Sequence, residues 1–208
     1  MQFGKVDKKK MILVVISVII MGCCMSFLNQ TNMGTDAFTT LNLGIAEKVG
    51  MSLGTVQAIF NSVLLVMVFF MDKSQIGWGT IANMFLVGYS FDFYTRLNSL
   101  WIPQEIYNSK VVRVLIMIPS LLLFILMAAI YMAMQLGTAP YDAPSFIIST
   151  KLPKVPFRVI RILWDVMVCI IGILFGSKPG IVTLIMAFTL GPVITWVKEN
   201  LVDKYFPC

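Results

Sequence analysis

Met33–Ile45 reads MGTDAFTTLNLGI, and Leu136–Ile148 reads LGTAPYDAPSFII. Each follows a long apolar run and opens with Gly-Thr, and the two lie 103 positions apart in a chain of 208 residues. Sliding the chain on itself by that offset extends the match without a gap. Phe38 meets Tyr141, Lys48 meets Lys151, Val56 meets Val159, Gly77 meets Gly180, Thr80 meets Thr183, and Gly88 meets Gly191. Apolar matches alone would mean little among Leu/Ile/Val-rich helices. The Gly and Thr matches, in the same order of elements, point to an internal duplication. Two units follow from it, residues 1–99 and 108–208.

The surroundings of the repeat set its solvent. Hydrophobic residues make up 58% of the chain and charged residues only 12%, about half the usual share for a soluble domain. The mean hydropathy is +0.87. Six runs are long enough to approach the roughly 20 apolar residues that a membrane helix needs: 11–29, 52–71, 77–95, 111–135, 156–176 and 180–197. Between them, 36–48 and 142–151 are apolar but too short to cross, as re-entrant or interfacial segments are. The expected fold is therefore an all-α integral membrane protein with six transmembrane helices. Each unit holds three spans and one short segment.

Three spans per unit is an odd number, so the second unit must run through the bilayer opposite to the first. Such inverted repeats recur among secondary transporters. Cation placement orients them: with the N-terminus inside, eleven Lys and Arg fall on the cytoplasmic side and five outside. Both termini are then expected in the cytoplasm. The cluster of Lys110 and Arg113 outside runs against this assignment.

Several function classes drop out. The net charge of +6 comes from cations flanking apolar runs, not from a basic face, so nucleic acid is not an expected partner. The chain has no histidine, which removes His-based triads and His-ligated zinc. Cys23, Cys24, Cys169 and Cys208 lack C-x-x-C spacing, so no metal is expected there. The stretch GWGTIA fits a loose dinucleotide pattern, but it opens a membrane span with no strand before it. Neither a cofactor nor an enzyme activity is expected. The basic start and "IIMGCC" have the look of a secretory signal, yet the apolar run continues to Leu28, as a first membrane helix would.

Polar residues inside the spans carry the functional expectation, because they are costly there. Asp165 lies near the middle of the fifth span with Arg161 one turn earlier on the same face. The pair is either a structural lock or part of a solute or proton site. Asn61, with Gln57 one turn before it, sits at a comparable depth of the second span, one residue off the 103 offset. Asp36 and Asp142 stand where N-caps of the short segments would be. Thr35 and Thr138 belong to the paired Gly-Thr segments, whose N-terminal ends can hold a solute's polar part. Asp92 and Arg96 are spaced to pair as i,i+4 neighbours.

Together with "MSLGT", "GWGTIANMFLVGYSFD" and "GIVTLIMAFTLGP", these motifs make the chain resemble the YczE/YyaS/YitT family of uncharacterised bacterial membrane proteins. The resemblance covers nearly the whole chain. It implies a bacterial plasma-membrane protein and no established activity. In that family the motif reads Gly-x-x-Pro-aromatic-Asp, which Gly137 to Asp142 keep. The first copy has Ala37 for the proline and Thr39 where Asp142 aligns. The functional expectation is a small-solute transporter with a central site between the two units. The alternative is a non-transporting scaffold or regulatory partner of another protein.

Overall fold

The computed structural model describes residues 7–197 and Asn200. The expectations for Lys5, Lys198, Lys204 and Cys208, and the outer ends of both repeat units, lie outside the described residues.

Every regular element among the described residues is helical: α1 (Lys8–Gln30), α2 (Ala37–Val49), α3 (Leu53–Met71), α4 (Trp78–Trp101), α5 (Lys110–Ala133), α6 (Ala143–Lys151), α7 (Phe157–Leu174) and α8 (Ile181–Val197). The two short segments are α2 and α6. Helices α1, α3 and α5 are long and apolar enough to cross a membrane. The 23 residues of α1 rise about 34 Å at 1.5 Å each, more than the roughly 30 Å of a hydrocarbon core.

Local chemistry fixes the helix ends. The Asp36 carboxylate accepts from the Phe38 and Thr39 amides at 3.0 and 3.1 Å, which caps α2. Gly50 closes α2 in a left-handed conformation. Ser52 Oγ accepts from the Thr55 amide at 3.3 Å and starts α3. Two expectations fail locally. Asp142 does not cap α6 through its side chain; its carboxylate faces Arg161 instead. Asp92 turns to α3 and accepts from the Gly54 amide at 2.8 Å rather than pairing with Arg96. Helix α4 runs past residue 95, the end of the expected span, to Trp101, because no helix breaker intervenes before Pro103.

Helix α1 packs against α4 and α5, and α5 also packs against α8. Their shared core includes Val14, Val18, Leu28, Ala129, Val182 and Met186, all buried. A second apolar cluster joins α2 to α7 through Phe38, Leu41, Tyr141 and Val168. Large side chains such as Phe70 (81% exposed), Leu100 and Leu174 point away from the bundle. In water such exposure would be a liability; against lipid tails it carries no such penalty.

The two Gly-Thr segments cross between the halves. Gly34 and Gly137 adopt φ of +97° and +107°, which only glycine takes readily. A Cβ on Gly34 would collide with the Gly180 amide and Thr183 Oγ1, and one on Gly137 with the Gly77 amide and Thr80 Oγ1. The Val182 amide donates to Met33 O at 2.9 Å, and the Gly79 amide to Leu136 O at 2.7 Å. Each partner in one set has its counterpart in the other set at the 103 offset.

Candidate functional site

Helix α7 places Arg161 and Asp165 on one face, 7% and 2% exposed. Arg161 Nη1 donates to Asp142 Oδ1 at the start of α6, and Arg161 Nε donates to Asp165 Oδ2 at 3.3 Å. The Tyr141 hydroxyl donates to the other Asp165 oxygen at 2.6 Å. The guanidinium carbon lies 5.1 Å from the Tyr141 ring centroid, which adds a cation–π contact. Tyr141 in turn stacks on Phe38, with centroids 4.5 Å apart and planes 21° from parallel. One cation thus sits between two carboxylates in a buried cluster. Such a cluster stays charged only because each member is paired and hydrogen-bonded.

Beside it is a cavity of about 70 Å³, room for a few water molecules or a few heavy atoms. Its polar wall includes Asp36, Gln57, Asn61, Asn83, Asp142 and Arg161; Met21, Val87 and Phe124 are among its apolar neighbours. Gln57 Nε2 donates to Thr39 Oγ1 at 3.4 Å, and its Oε1 lies against Gly88 of α4. Asp36 Oδ2, Gln57 Oε1 and Asn61 Oδ1 are buried and have no hydrogen-bond partner. Buried polar atoms are seldom left so.

A larger cavity of about 340 Å³ opens at the end where α1 finishes, lined by Thr35, Thr40, Glu47, Ser177 and Lys178 among others. Thr35 Oγ1 and Thr40 Oγ1 are 3.1 Å apart there. At the 103-offset position the arrangement differs. The Thr138 amide donates to Gln75 O at 2.9 Å, and Thr138 Oγ1 donates to Gln75 Oε1 at 2.8 Å. Lys178 is the counterpart of Gln75.

The eight residues singled out from sequence therefore divide. Asp36, Gln57, Asn61, Asp142 and Arg161 line the central cavity. Asp165 stands one bond behind it, holding Arg161. Thr35 lines the larger cavity, and Thr138 is engaged by Gln75. Sequence reasoning missed Tyr141 as the Asp165 partner and Asn83 as a cavity residue. A signal existed for both: Tyr141 matches Phe38 in the repeat, and Asn83 is an amide within an apolar run. Among the described residues no group of three or more His, Cys, Asp or Glu is placed to hold a metal ion.

Residues 8–199 match a family described as "Family of unknown function (DUF6198)". The chain is 24% identical over 192 residues to "Uncharacterized protein YyaS" of Bacillus subtilis, covering 92% of each. It is also 24% identical over 164 residues to an "Uncharacterized protein" of Haemophilus influenzae, covering 79% of this chain and 72% of that one. The resemblance to the YyaS group read from the motifs is thereby borne out. No solved structure matches the chain.

Proposed function

Because this chain belongs to the DUF6198 family, whose function is unknown, membership brings no activity with it, and we propose that it is a small-solute transporter. In this reading α1, α3, α4, α5, α7 and α8 are six spans arranged as two inverted three-helix repeats. Helices α2 and α6 are short re-entrant elements, and both termini lie in the cytoplasm. The reciprocal crossing of the Gly-Thr segments supports the pseudo-two-fold relation, and so does the stacking of Phe38 on its own counterpart Tyr141. A two-fold axis brings equivalent positions face to face.

The observation that carries the reading is a difference between equivalent positions. On one side Thr138 is hydrogen-bonded twice to Gln75, which closes that end. On the other side their counterparts Thr35 and Lys178 line an open cavity of about 340 Å³. Two inverted halves, one end shut and the other open, are what alternating access requires; exchange of the two arrangements would carry a solute across. A purely structural scaffold would pair its interior polar groups. The polar lining of the central cavity, Asn61 and Asn83 among it, favours a binding cavity over that alternative.

Thermal stabilisation of the purified protein against a broad metabolite panel tests this, followed by counterflow of any hit in proteoliposomes. A stabilising solute that loses its effect in Asp165→Asn and is moved in counterflow is the expected result. Cysteines at Gln75 and Thr138, oxidised to a cross-link, should then abolish movement. If no solute binds and Asp165→Asn merely melts earlier, the transport reading fails and a protein partner becomes the target.

A further inference from the structure

The junction of α6 and α7 carries a cationic patch that the buried cluster does not use. Lys151, Lys154 and Arg158 stand together there, and all three are exposed. The sequence has no Asp or Glu between Asp142 and Asp165, and none of the three cations forms an ion pair among the described residues. The Lys110–Arg113 cluster is different, because Arg113 Nε donates to the Tyr107 carbonyl and Glu105 belongs to the same loop. The junction is also built rather than loose. Phe146 of α6 stacks on Phe157 of α7, with centroids 4.6 Å apart and planes 23° from parallel. The Leu152 amide donates to Ile148 O at 2.9 Å, and the Val155 amide to Leu152 O at 3.0 Å. Leu152, between the two lysines, is itself half exposed.

An apolar stripe leads away from the patch along α7. Val159, Leu163, Val166 and Ile170 are all exposed and recur at the spacing that puts them on one face of the helix. From the first to the last the helix rises about 16 Å at 1.5 Å per residue, roughly half of a 30 Å hydrocarbon core and so about the depth of one leaflet. We propose that this junction binds an acidic phospholipid, with its phosphate among Lys151, Lys154 and Arg158 and its acyl chains along the α7 stripe. Charge complementarity selects the head, since a zwitterionic lipid would bring its own cation toward three others. The stripe selects the tail, since a soluble phosphate ester would leave it unused. In the orientation proposed above the patch faces the cytoplasmic leaflet, whose surface is negative. The repeat does not duplicate it: the counterparts are Lys48, Met51 and Thr55, with Glu47 beside the one lysine. The inference does not depend on a solute being carried.

The test uses the purified full-length protein, delipidated in an uncharged detergent and titrated with dioleoylphosphatidylglycerol or dioleoylphosphatidylcholine. Native mass spectrometry counts the bound lipid. The glycerol lipid should bind more tightly than the choline lipid by roughly tenfold or more. A Lys or Arg near an acidic head group is worth about fivefold in binding. The double variant Lys151→Gln, Lys154→Gln should therefore lose most of that preference. Arg158 is left in place because its stem packs beside Gly191 of α8. The double variant Lys48→Gln, Lys110→Gln removes as much charge elsewhere and should keep the preference. All four lysines are exposed, so both doubles should melt with the wild type before lipid is added.

Equal binding of the two lipids overturns the proposal. An equal loss in both double variants overturns it too, because net charge and not this junction would then attract the lipid. Displacement of the lipid by sn-glycerol 3-phosphate, which has the charged head and no chains, would mark a soluble phosphate site and remove the role given to the stripe. Preference lost only in Lys151→Gln, Lys154→Gln, and not competed by glycerol phosphate, is the expected result.

Discussion

Replacing Arg161 with methionine removes the one cation of the buried cluster while keeping a side chain of similar length. Asp142 and Asp165 would then be left without their guanidinium donors at positions that are 8% and 2% exposed. Breaking a buried pair from one side costs about 3–5 kcal/mol, which at roughly 2–4 °C per kcal/mol for a chain of this length is a drop of about 6–20 °C in melting temperature. The Tyr141 hydroxyl still serves Asp165, so the deficit should fall mainly on Asp142. The assay is a thermal melt of the purified protein in detergent, wild type beside Arg161→Met. The triple variant Arg161→Met, Asp142→Asn, Asp165→Asn should regain at least half of the loss, because a wholly neutral cluster has no stranded charge. If Arg161→Met melts with the wild type, the reasoning is refuted: water would already solvate these carboxylates, and the cluster would be no dry lock.

Other outcomes follow from the same geometry. Gly137→Ala should lose at least about 1–3 kcal/mol in thermal melts, because its φ of +107° suits no other residue and Thr80 leaves no room; Gly34→Ala should behave alike. Tyr141→Phe keeps the stack on Phe38 but deprives Asp165 of its hydroxyl donor, a loss of about 1–3 kcal/mol read in the same assay. Hydrogen bonds from Ser74, then Gln75, hold the Asp72 carboxylate below the usual range. A depressed folded-state value means its support of the 73–75 turn is full above the unfolded pKa, about 3.9, and fades as pH falls through the lower folded value. Protection of the Ser74 amide, taken relative to its intrinsic exchange rate at each pH, should therefore fall only in acid, and Asp72→Ala should lack that protection at neutral pH as well.

Much of the architecture was legible because it rests on composition and local chemistry. The apolar runs mark the long helices, Asp36 and Ser52 mark helix starts, and the 103 offset marks which segments correspond. Where expectations failed, a tertiary partner outcompeted a local one. Asp142 had a helix N-terminus within reach and took the Arg161 guanidinium instead, since an ion pair in an apolar interior outweighs an amide cap. Asp92 preferred the Gly54 amide on a neighbouring helix to Arg96 on its own. The Arg161–Asp165 pair could be read from i,i+4 spacing alone. Its third member could not, because Asp142 stands at the start of another helix and nothing in periodicity says that α6 begins beside α7. For the same reason Thr35 and Thr138, equal in sequence, could not be told apart before their surroundings were known.

The stacked rings of Phe38 and Tyr141 bear on how such a chain could have arisen. At the 103 offset Tyr141 corresponds to Phe38, Asp142 to Thr39, Arg161 to Ala58 and Asp165 to Ser62. Every hydroxyl-bearing or ionisable member of the cluster has a counterpart that cannot ionise. Two identical chains meeting about a two-fold axis would have placed both sets at one point, with two guanidinium groups and four carboxylates crowded around one pair of rings. Joining the copies in a single polypeptide lifts that constraint, since a change in one no longer imposes itself on the other. In the inverted-repeat reading proposed above, fusion would do more than tether two subunits: it would let the second half carry the Arg161–Asp142–Asp165 cluster while the first sets uncharged side chains at the equivalent positions.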